Sequence, residues 1–223
     1  SHAAPPLQTF ETLTPLRIQQ IDSLVYVYDL GQNVSLMPRI QVRGPKGSSV
    51  RIIPSELTHD NGTVNRASCT RGKGDAWWEY ILNGDTDVEA WFPKFFYQGG
   101  RYLQVELTAA REGGELPVVD HLEGVVVHTS SPIAGEFSCS NEMFNRVHTL
   151  VRWAQRSNLV SMITDCPHRE KMGWLEQYHL NGPALRYSYD LARLDKKTFG
   201  DMADAQAASG LVPNICPEYV IFS

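Results

Sequence analysis

Nowhere does this 223-residue sequence hold the roughly eighteen consecutive apolar residues that a membrane-spanning helix needs. Its opening, Ser1-His2-Ala3-Ala4-Pro5-Pro6, has no apolar signal core and reads as a trimmed or tagged end, so export is not legible there. Runs of lysine or arginine are missing too. With 20 basic against 25 acidic side chains the net charge is -5, which offers no electrostatic footprint for nucleic acid or an anionic membrane, and neither is expected as a partner. Cysteine is sparse. Cys69, Cys139, Cys166 and Cys216 are widely spaced and form no Cys-x-x-Cys pair, and a chain of this size folds without staples, so free buried thiols are expected. Cys166 and His168 lack the two further ligands at recognisable spacing that a zinc site requires, and no metal or other cofactor is expected. The rest is ordinary globular composition, 42% hydrophobic and 20% charged, enough for one or two cores.

Residues 7 to about 130 read as β structure. Val25, Val27, Ile40, Val42, Val50, Ile52, Val88, Ala90, Phe92, Leu103, Val105 and Leu107 give short apolar or alternating runs, separated by Gly44-Pro45-Lys46-Gly47, Asp60-Asn61-Gly62 and Asn83-Gly84-Asp85 at the intervals of an antiparallel sandwich. Gly31-Gln32-Asn33 is expected as a turn after a strand ending near Leu30, its amides holding a loop. Trp77, Trp78, Tyr80 and Trp91 fit a sugar platform, although aromatics in strands more often fill a core.

Near Ser131-Pro132 the apolar period changes. Met143, Phe144, Val147, Leu150, Val151 and Ala154 predict one face of a helix capped by Ser140. A second helical stretch is expected from about Trp174 through Tyr178, Leu185, Tyr187 and Leu191, bent or broken at Gly182-Pro183. A third is expected with Asp195 as N-cap, Leu194 and Phe199 as a hydrophobic staple, and an end at Gly210, followed by an extended loop over 211–218.

The densest chemistry lies in Thr164-Asp165-Cys166-Pro167-His168-Arg169-Glu170-Lys171-Met172-Gly173-Trp174-Leu175-Glu176-Gln177, where Pro167 and Gly173 forbid one smooth helix. Three carboxylates, an arginine, a histidine and an indole within fourteen residues suit a polyhydroxylated ligand, with Trp174 as a flat apolar face for sugar C–H groups. In glycoside hydrolysis one carboxyl delivers a proton to the leaving oxygen while a second activates water or attacks the anomeric carbon. Glu170 is the better candidate acid: the like charge of Asp165 and the apolar wall of Trp174 favour its protonated form, against the pull of Arg169. That balance turns on whether Arg169 points at substrate or at Asp165. The plainer alternative is a solvated charged turn at Arg169-Glu170-Lys171 with Trp174 in a core.

Asp165-Cys166-Pro167-His168-Arg169-Glu170-Lys171-Met172-Gly173-Trp174 resembles the signature of the α-L-rhamnosidases of glycoside hydrolase family 78. Gly135-Glu136-Phe137-Ser138-Cys139-Ser140, Asn145 and Trp153-Ala154-Gln155-Arg156-Ser157-Asn158 resemble the run before it. Tyr28-Asp29-Leu30-Gly31-Gln32-Asn33 and Pro93-Lys94-Phe95-Phe96-Tyr97-Gln98-Gly99-Gly100-Arg101-Tyr102 resemble the preceding β-domain. The resemblance implies a β-sandwich domain over 1–134 and, over 135–223, the first helices of an (α/α)6 six-hairpin barrel; 89 residues with about three helices do not close such a barrel. It implies inverting hydrolysis of terminal α-L-rhamnosyl bonds, with Glu170 as general acid, Asp165 and Arg169 on the sugar hydroxyls, His168 and Trp174 beside them, and the base beyond Ser223. The expected partners are a carbohydrate substrate and the remaining barrel segment or another copy of the chain. A glycan-degrading role favours a periplasmic or secreted setting over a cytoplasmic one. The sequence departs from the family after Trp174: Leu175-Glu176-Gln177 stands where the common pattern has a residue, then Gly-Asp, so Glu176 or Gln177 would take over that sugar contact. Two other readings remain, a related glycosidase for another terminal sugar and a non-catalytic carbohydrate-binding or interaction module.

Overall fold

The structure, a computed structural model, describes residues 4–70, 76–85 and 87–221; Ser1, His2 and Ala3 of the polar start lie outside them. Two units can be told apart, one from Thr9 to Val126 and one from Val127 onward that takes in the chain start up to Gln8.

The first unit is built around one long strand. In chain order the strands are β1 (Leu7–Leu13), β2 (Arg17–Gln20), β3 (Val25–Arg43), β4 (Ser49–Ser55), β5 (Leu57–Thr58), β6 (Val64–Asn65), β7 (Trp78–Ile81), β8 (Glu89–Trp91), β9 (Gln98–Thr108) and β10 (Val118–Thr129). Eight of them form a sheet ordered β1-β10-β3-β9-β4-β7, with β2 and β8 also paired to β3, while β5 and β6 form a separate ribbon. The 19 residues of β3 change partners along their length. Val25–Asp29 runs antiparallel to both β2 and β9, whereas the later half, from Leu36, pairs with β10, and Ile40–Val42 with β8. One strand, paired with β9 on both sides of the register shift, thus joins β2, β8, β9 and β10 in the antiparallel β-sandwich domain.

The change of partner coincides with a shift in the β3–β9 register between Asp29 and Val34, and Gly31 there has φ +76°, open to glycine at little cost. Gly31-Gln32-Asn33 is thus a bulge inside a continuing strand and not the expected turn at its end. It is held by polar contacts. The Gly31 N–H donates to Asp29 Oδ1 at 2.8 Å, and Asn33 Nδ2 donates to Glu56 Oε1 at 2.8 Å. A sequence-local reading sees a turn former; only the cross-strand partners show that pairing resumes.

On either side of the bulge the period-two pattern does what a sandwich demands. Leu36, Ile40 and Val42 of β3, Val50 and Ile52 of β4, and Leu103 and Val105 of β9 are fully buried, while Arg39, Gln41 and Arg43 face outward. The strand aromatics divide. Trp78 is core, its Nε1 donating to the Phe96 carbonyl at 3.0 Å, and Tyr80 packs on Trp91 with ring centroids 5.4 Å apart while its hydroxyl donates to Glu89 at 2.6 Å. Trp77 faces outward under the Arg51 guanidinium, 5.1 Å from its ring.

Beside the bulge, Arg101 grips Asp29 with two nitrogens, Nε to Oδ1 at 2.7 Å and Nη2 to Oδ2 at 2.8 Å. This fork holds the Asp29 carboxyl below its usual value against the opposing effect of burial. A carboxyl whose folded pKa is depressed contributes stability above its unfolded pKa and loses it as pH falls through the folded one. Asp29→Asn is therefore expected to cost about 1 kcal/mol at neutral pH after allowance for solvent screening, and the gap to the parent should close below about pH 4. Urea titrations of both proteins from pH 3 to 7 check this; parallel pH profiles would remove the fork as its source.

The second unit has four α-helices among the described residues: α1 (Glu142–Ser157), α2 (Leu175–Leu180), α3 (Gly182–Ser188) and α4 (Ala192–Ala205). Asn141, not Ser140, caps α1, its Oδ1 accepting from the Met143 N–H at 3.0 Å. The second helical stretch breaks at Asn181, where Pro183 enters at the start of α3 and lacks the N–H needed to continue α2, and it stops at Ser188, short of Leu191. Asp195 is not the cap of α4. It lies in the first turn and pairs with Arg186 at 3.0 Å, while Asp190 Oδ1 accepts from the Ala192 N–H at 3.0 Å ahead of the helix. No staple forms, because Leu194 is buried and Phe199 exposed, and the helix ends at Ala205 instead of Gly210.

The core of this unit is Leu159, Ile163, Leu185, Tyr189, Leu191 and Leu194, with Tyr178 packed against it. The apolar stripe of α1 lies elsewhere: Met143, Phe144, Val147, Leu150 and Val151 are 44–65% exposed. Of the four thiols, all free, Cys69 and Cys216 are buried and Cys166 half-buried, but Cys139 is exposed, contrary to the expectation of burial.

Candidate active site

A turn at Ser161, φ +63°, reverses the chain after α1 and sends it into the motif, with Leu159 and Ile163 bridged and the Thr164 N–H donating to Asn158 O at 2.9 Å. Tyr178 fixes this entrance. Its hydroxyl oxygen accepts from the Ile163 N–H at 3.1 Å and from the Thr198 hydroxyl at 3.0 Å, tying α2, α4 and the start of the loop together.

The loop then closes on itself through Asp165. Its N–H donates to Met172 O at 3.1 Å, and its Oδ1 accepts from the Met172 N–H at 2.9 Å, so one residue makes both contacts across the loop. Inside the closure Cys166 Sγ accepts from the Glu170 N–H at 3.2 Å, and His168 Nδ1 accepts from the Arg169 N–H at 2.7 Å. Accepting at Nδ1 puts the proton of a neutral His168 on Nε2. Lys171 has φ +56°, rare for a side-chain-bearing residue, and turns the chain toward Gly173-Trp174. Trp174 then pairs with Ile215, and its Nε1 donates to Glu170 Oε2 at 3.3 Å.

Glu170 and Trp174, four residues apart, therefore meet, both half-buried. Asp165 is half-buried and committed in part to the loop itself. Arg169 is exposed, and among the described residues its guanidinium makes no ion pair with Asp165 or Glu170, so it points to solvent and not back at Asp165. Glu176 is exposed in the first turn of α2, while the Gln177 amide oxygen accepts from Asn181 Nδ2. Among the described residues no group of three His, Cys, Asp or Glu side chains is placed to hold a metal.

Two ionisable groups in the loop are perturbed. Burial raises the Cys166 thiol, but hydrogen bonds from His168 and from the Lys171 and Glu170 N–H groups outweigh it and leave the pKa lowered. Burial brings the Lys171 ammonium down to about 8.

What sequence reasoning missed is the support from 214–219. The Leu175 N–H donates to Asn214 O at 3.0 Å, the Cys216 N–H donates to Gly173 O at 3.0 Å, and the Tyr219 hydroxyl donates to Lys171 O at 2.8 Å. Local spacing carries no signal for such contacts. The single hint is Gly173, where a Cβ would stand 2.5 Å from Cys216 O.

Comparison with known proteins covers both units. Residues 19–128 match the bacterial alpha-L-rhamnosidase concanavalin-like domain, and residues 132–222 match the bacterial alpha-L-rhamnosidase 6 hairpin glycosidase domain. An alpha-L-rhamnosidase of Streptomyces avermitilis is 30% identical over 213 residues, which are 95% of this chain and 20% of that protein. Among solved structures, the alpha-L-rhamnosidase of Dictyoglumus thermophilum superposes with a TM-score of 0.88 at 34% identity, covering 97% of this chain and 24% of that one. The S. avermitilis enzyme complexed with L-rhamnose gives 0.87 at 29% identity, covering 99% and 21%. The chain thus spans about a fifth of the length of the curated relatives it matches. A concanavalin-like sandwich followed by the start of a six-hairpin glycosidase domain, both of one kind, place the chain in the bacterial α-L-rhamnosidase family of glycoside hydrolases.

Proposed function

We propose that this chain contributes the acid half of an inverting α-L-rhamnosidase, with Glu170 as proton donor to the leaving oxygen of a terminal α-L-rhamnosyl bond. The observation that carries the reading is the Glu170–Trp174 contact at 3.3 Å on a loop locked by Asp165, beside an exposed arginine. A proton donor must be held still relative to the sugar ring, and the indole offers both a hydrogen bond to the carboxyl and an apolar face for the ring.

In this reading the exposed guanidinium of Arg169 donates to sugar hydroxyls, and Asp165 accepts from a hydroxyl while its Oδ1 holds the loop. His168 and Glu176 stand at the margin of the same sugar site, with Glu176 in place of the aspartate usual one residue later. The second carboxylate of an inverting enzyme stands roughly 6.5–9.5 Å from the acid, leaving room for a water on the opposite face of the ring. That base comes from outside these 223 residues, which agrees with the fivefold greater length of the relatives.

Stereochemistry tests the reading. Nuclear magnetic resonance of the earliest product from the full-length enzyme should show the β anomer of L-rhamnose, while residues 1–223 alone release none from an aryl rhamnoside. An α anomer as first product would rule out inversion. Turnover by a verified monomer of the chain would put the base within it.

A further inference from the structure

The peptide unit joining Lys171 to Met172 is held from both sides. Its N–H end donates to Asp165 Oδ1 at 2.9 Å, and its carbonyl end accepts from the Tyr219 hydroxyl at 2.8 Å, across 48 residues of chain. With donor and acceptor both engaged, rotation of this peptide plane would break two hydrogen bonds together. The unit begins one residue after Glu170, at the carbonyl of Lys171, whose backbone sits in the left-handed region at φ +56°. Such a conformation in a non-glycine residue costs about 1 kcal/mol or more and persists where its surroundings over-determine it.

The other contacts of 214–219 with the loop, at Leu175, Trp174 and Gly173, are made by backbone groups that most residue types could supply. The contact from Tyr219 depends on a side chain. Tyr219 is 52% exposed, so much of its ring faces water and its hydroxyl is the committed part. Burial, and then the negative charges of Asp165, Cys166 and Glu170, raise its pKa, which keeps the phenol protonated and able to donate.

We infer that Tyr219 is a positioning residue for Glu170, acting through the Lys171–Met172 peptide plane that it and Asp165 clamp between them. The inference rests on Glu170 being the proton donor. Without the hydroxyl, Lys171 is free to relax out of its left-handed conformation, and the carboxyl one residue earlier loses its fixed direction relative to Trp174. The consequence is confined to proton delivery. Substrates whose leaving group needs a proton suffer, whereas an activated aryl leaving group departs without one.

The test is Tyr219→Phe in the full-length enzyme, with Glu170→Gln beside it, assayed on a disaccharide or alkyl rhamnoside and on a nitrophenyl rhamnoside. The ratio of the two rates comes from one preparation, so a loss of folded protein cancels. Tyr219→Phe should lose about tenfold in kcat on the poor leaving group, with kcat on the nitrophenyl substrate and both KM values within about twofold of the parent. Equal losses on both substrates would make Tyr219 merely structural, and no loss on either would remove it from the site. If Glu170→Gln itself shows no dependence on leaving group, the proton-donor reading falls and the inference with it. If Glu170→Gln shows the dependence and Tyr219→Phe does not, the inference alone is overturned.

Discussion

Glu170→Gln in the full-length enzyme is expected to lower turnover of a rhamnoside with a poor leaving group by ~10²–10⁴-fold, the usual contribution of general acid catalysis. The substitution is close to isosteric, and the amide oxygen of glutamine can still accept from Trp174 Nε1, which Glu170 Oε2 does now at 3.3 Å, so the loop has no reason to collapse. What is lost is the transferable proton. The measurement is kcat on an alkyl or disaccharide rhamnoside, with a thermal melt to show the fold retained. A near-parental rate on such a substrate would move the acid away from Glu170.

Gly173→Ala should damage the same site by a different route. A Cβ at Gly173 would lie 2.5 Å from the Cys216 carbonyl oxygen and 2.7 Å from Met162 Sδ, distances that side-chain carbons do not tolerate. The sulfur can swing aside, but the carbonyl belongs to the backbone that also donates from the Cys216 N–H to Gly173 O. Relief therefore requires 214–219 to move off the loop. A cost of about 1–3 kcal/mol is expected from forced overpacking, with kcat on every rhamnoside falling about a hundredfold as Trp174 and Glu170 shift together. Chemical denaturation and initial rates report the two effects. A variant with parental stability would mean that 214–219 and the loop separate without cost, and the proposed support of the loop would have to be given up.

The sandwich was legible because its signal is local and repeated. Alternating Leu36, Ile40 and Val42, or Leu103 and Val105, need only a strand's period to announce their buried face. Sheet order was not legible, since nothing near Val25–Arg43 says that its two halves take different neighbours. The helices show the same limit. The stripe on α1 was plain from spacing, yet its cap lay one residue beyond Ser140, because Asn141 competes for the same role and either residue type serves. Asp195 has the composition of a cap, but an arginine nine residues earlier claims its carboxylate.

At the site, residue types and their closeness in sequence were enough to nominate Asp165, Arg169, Glu170 and Trp174 as a group. Their hydrogen bonds were not readable in advance. That Arg169 faces solvent and Asp165 locks Met172 depends on the left-handed turn at Lys171, and a lysine gives no hint of φ +56°. The contribution of 214–219 lay further still from anything that spacing could reveal.

That separation has a consequence in time. The contact from Tyr219 to Lys171 spans 48 residues, so a ribosome adding about 5–20 residues per second delivers the loop roughly 2–10 s before the tyrosine that braces it. Loop closure within the motif takes well under a millisecond by comparison. The Asp165–Met172 lock can thus form during synthesis, whereas the second hold on the peptide plane must wait for the chain to return, and the carboxyl is set in its final direction only after the rest of its own loop.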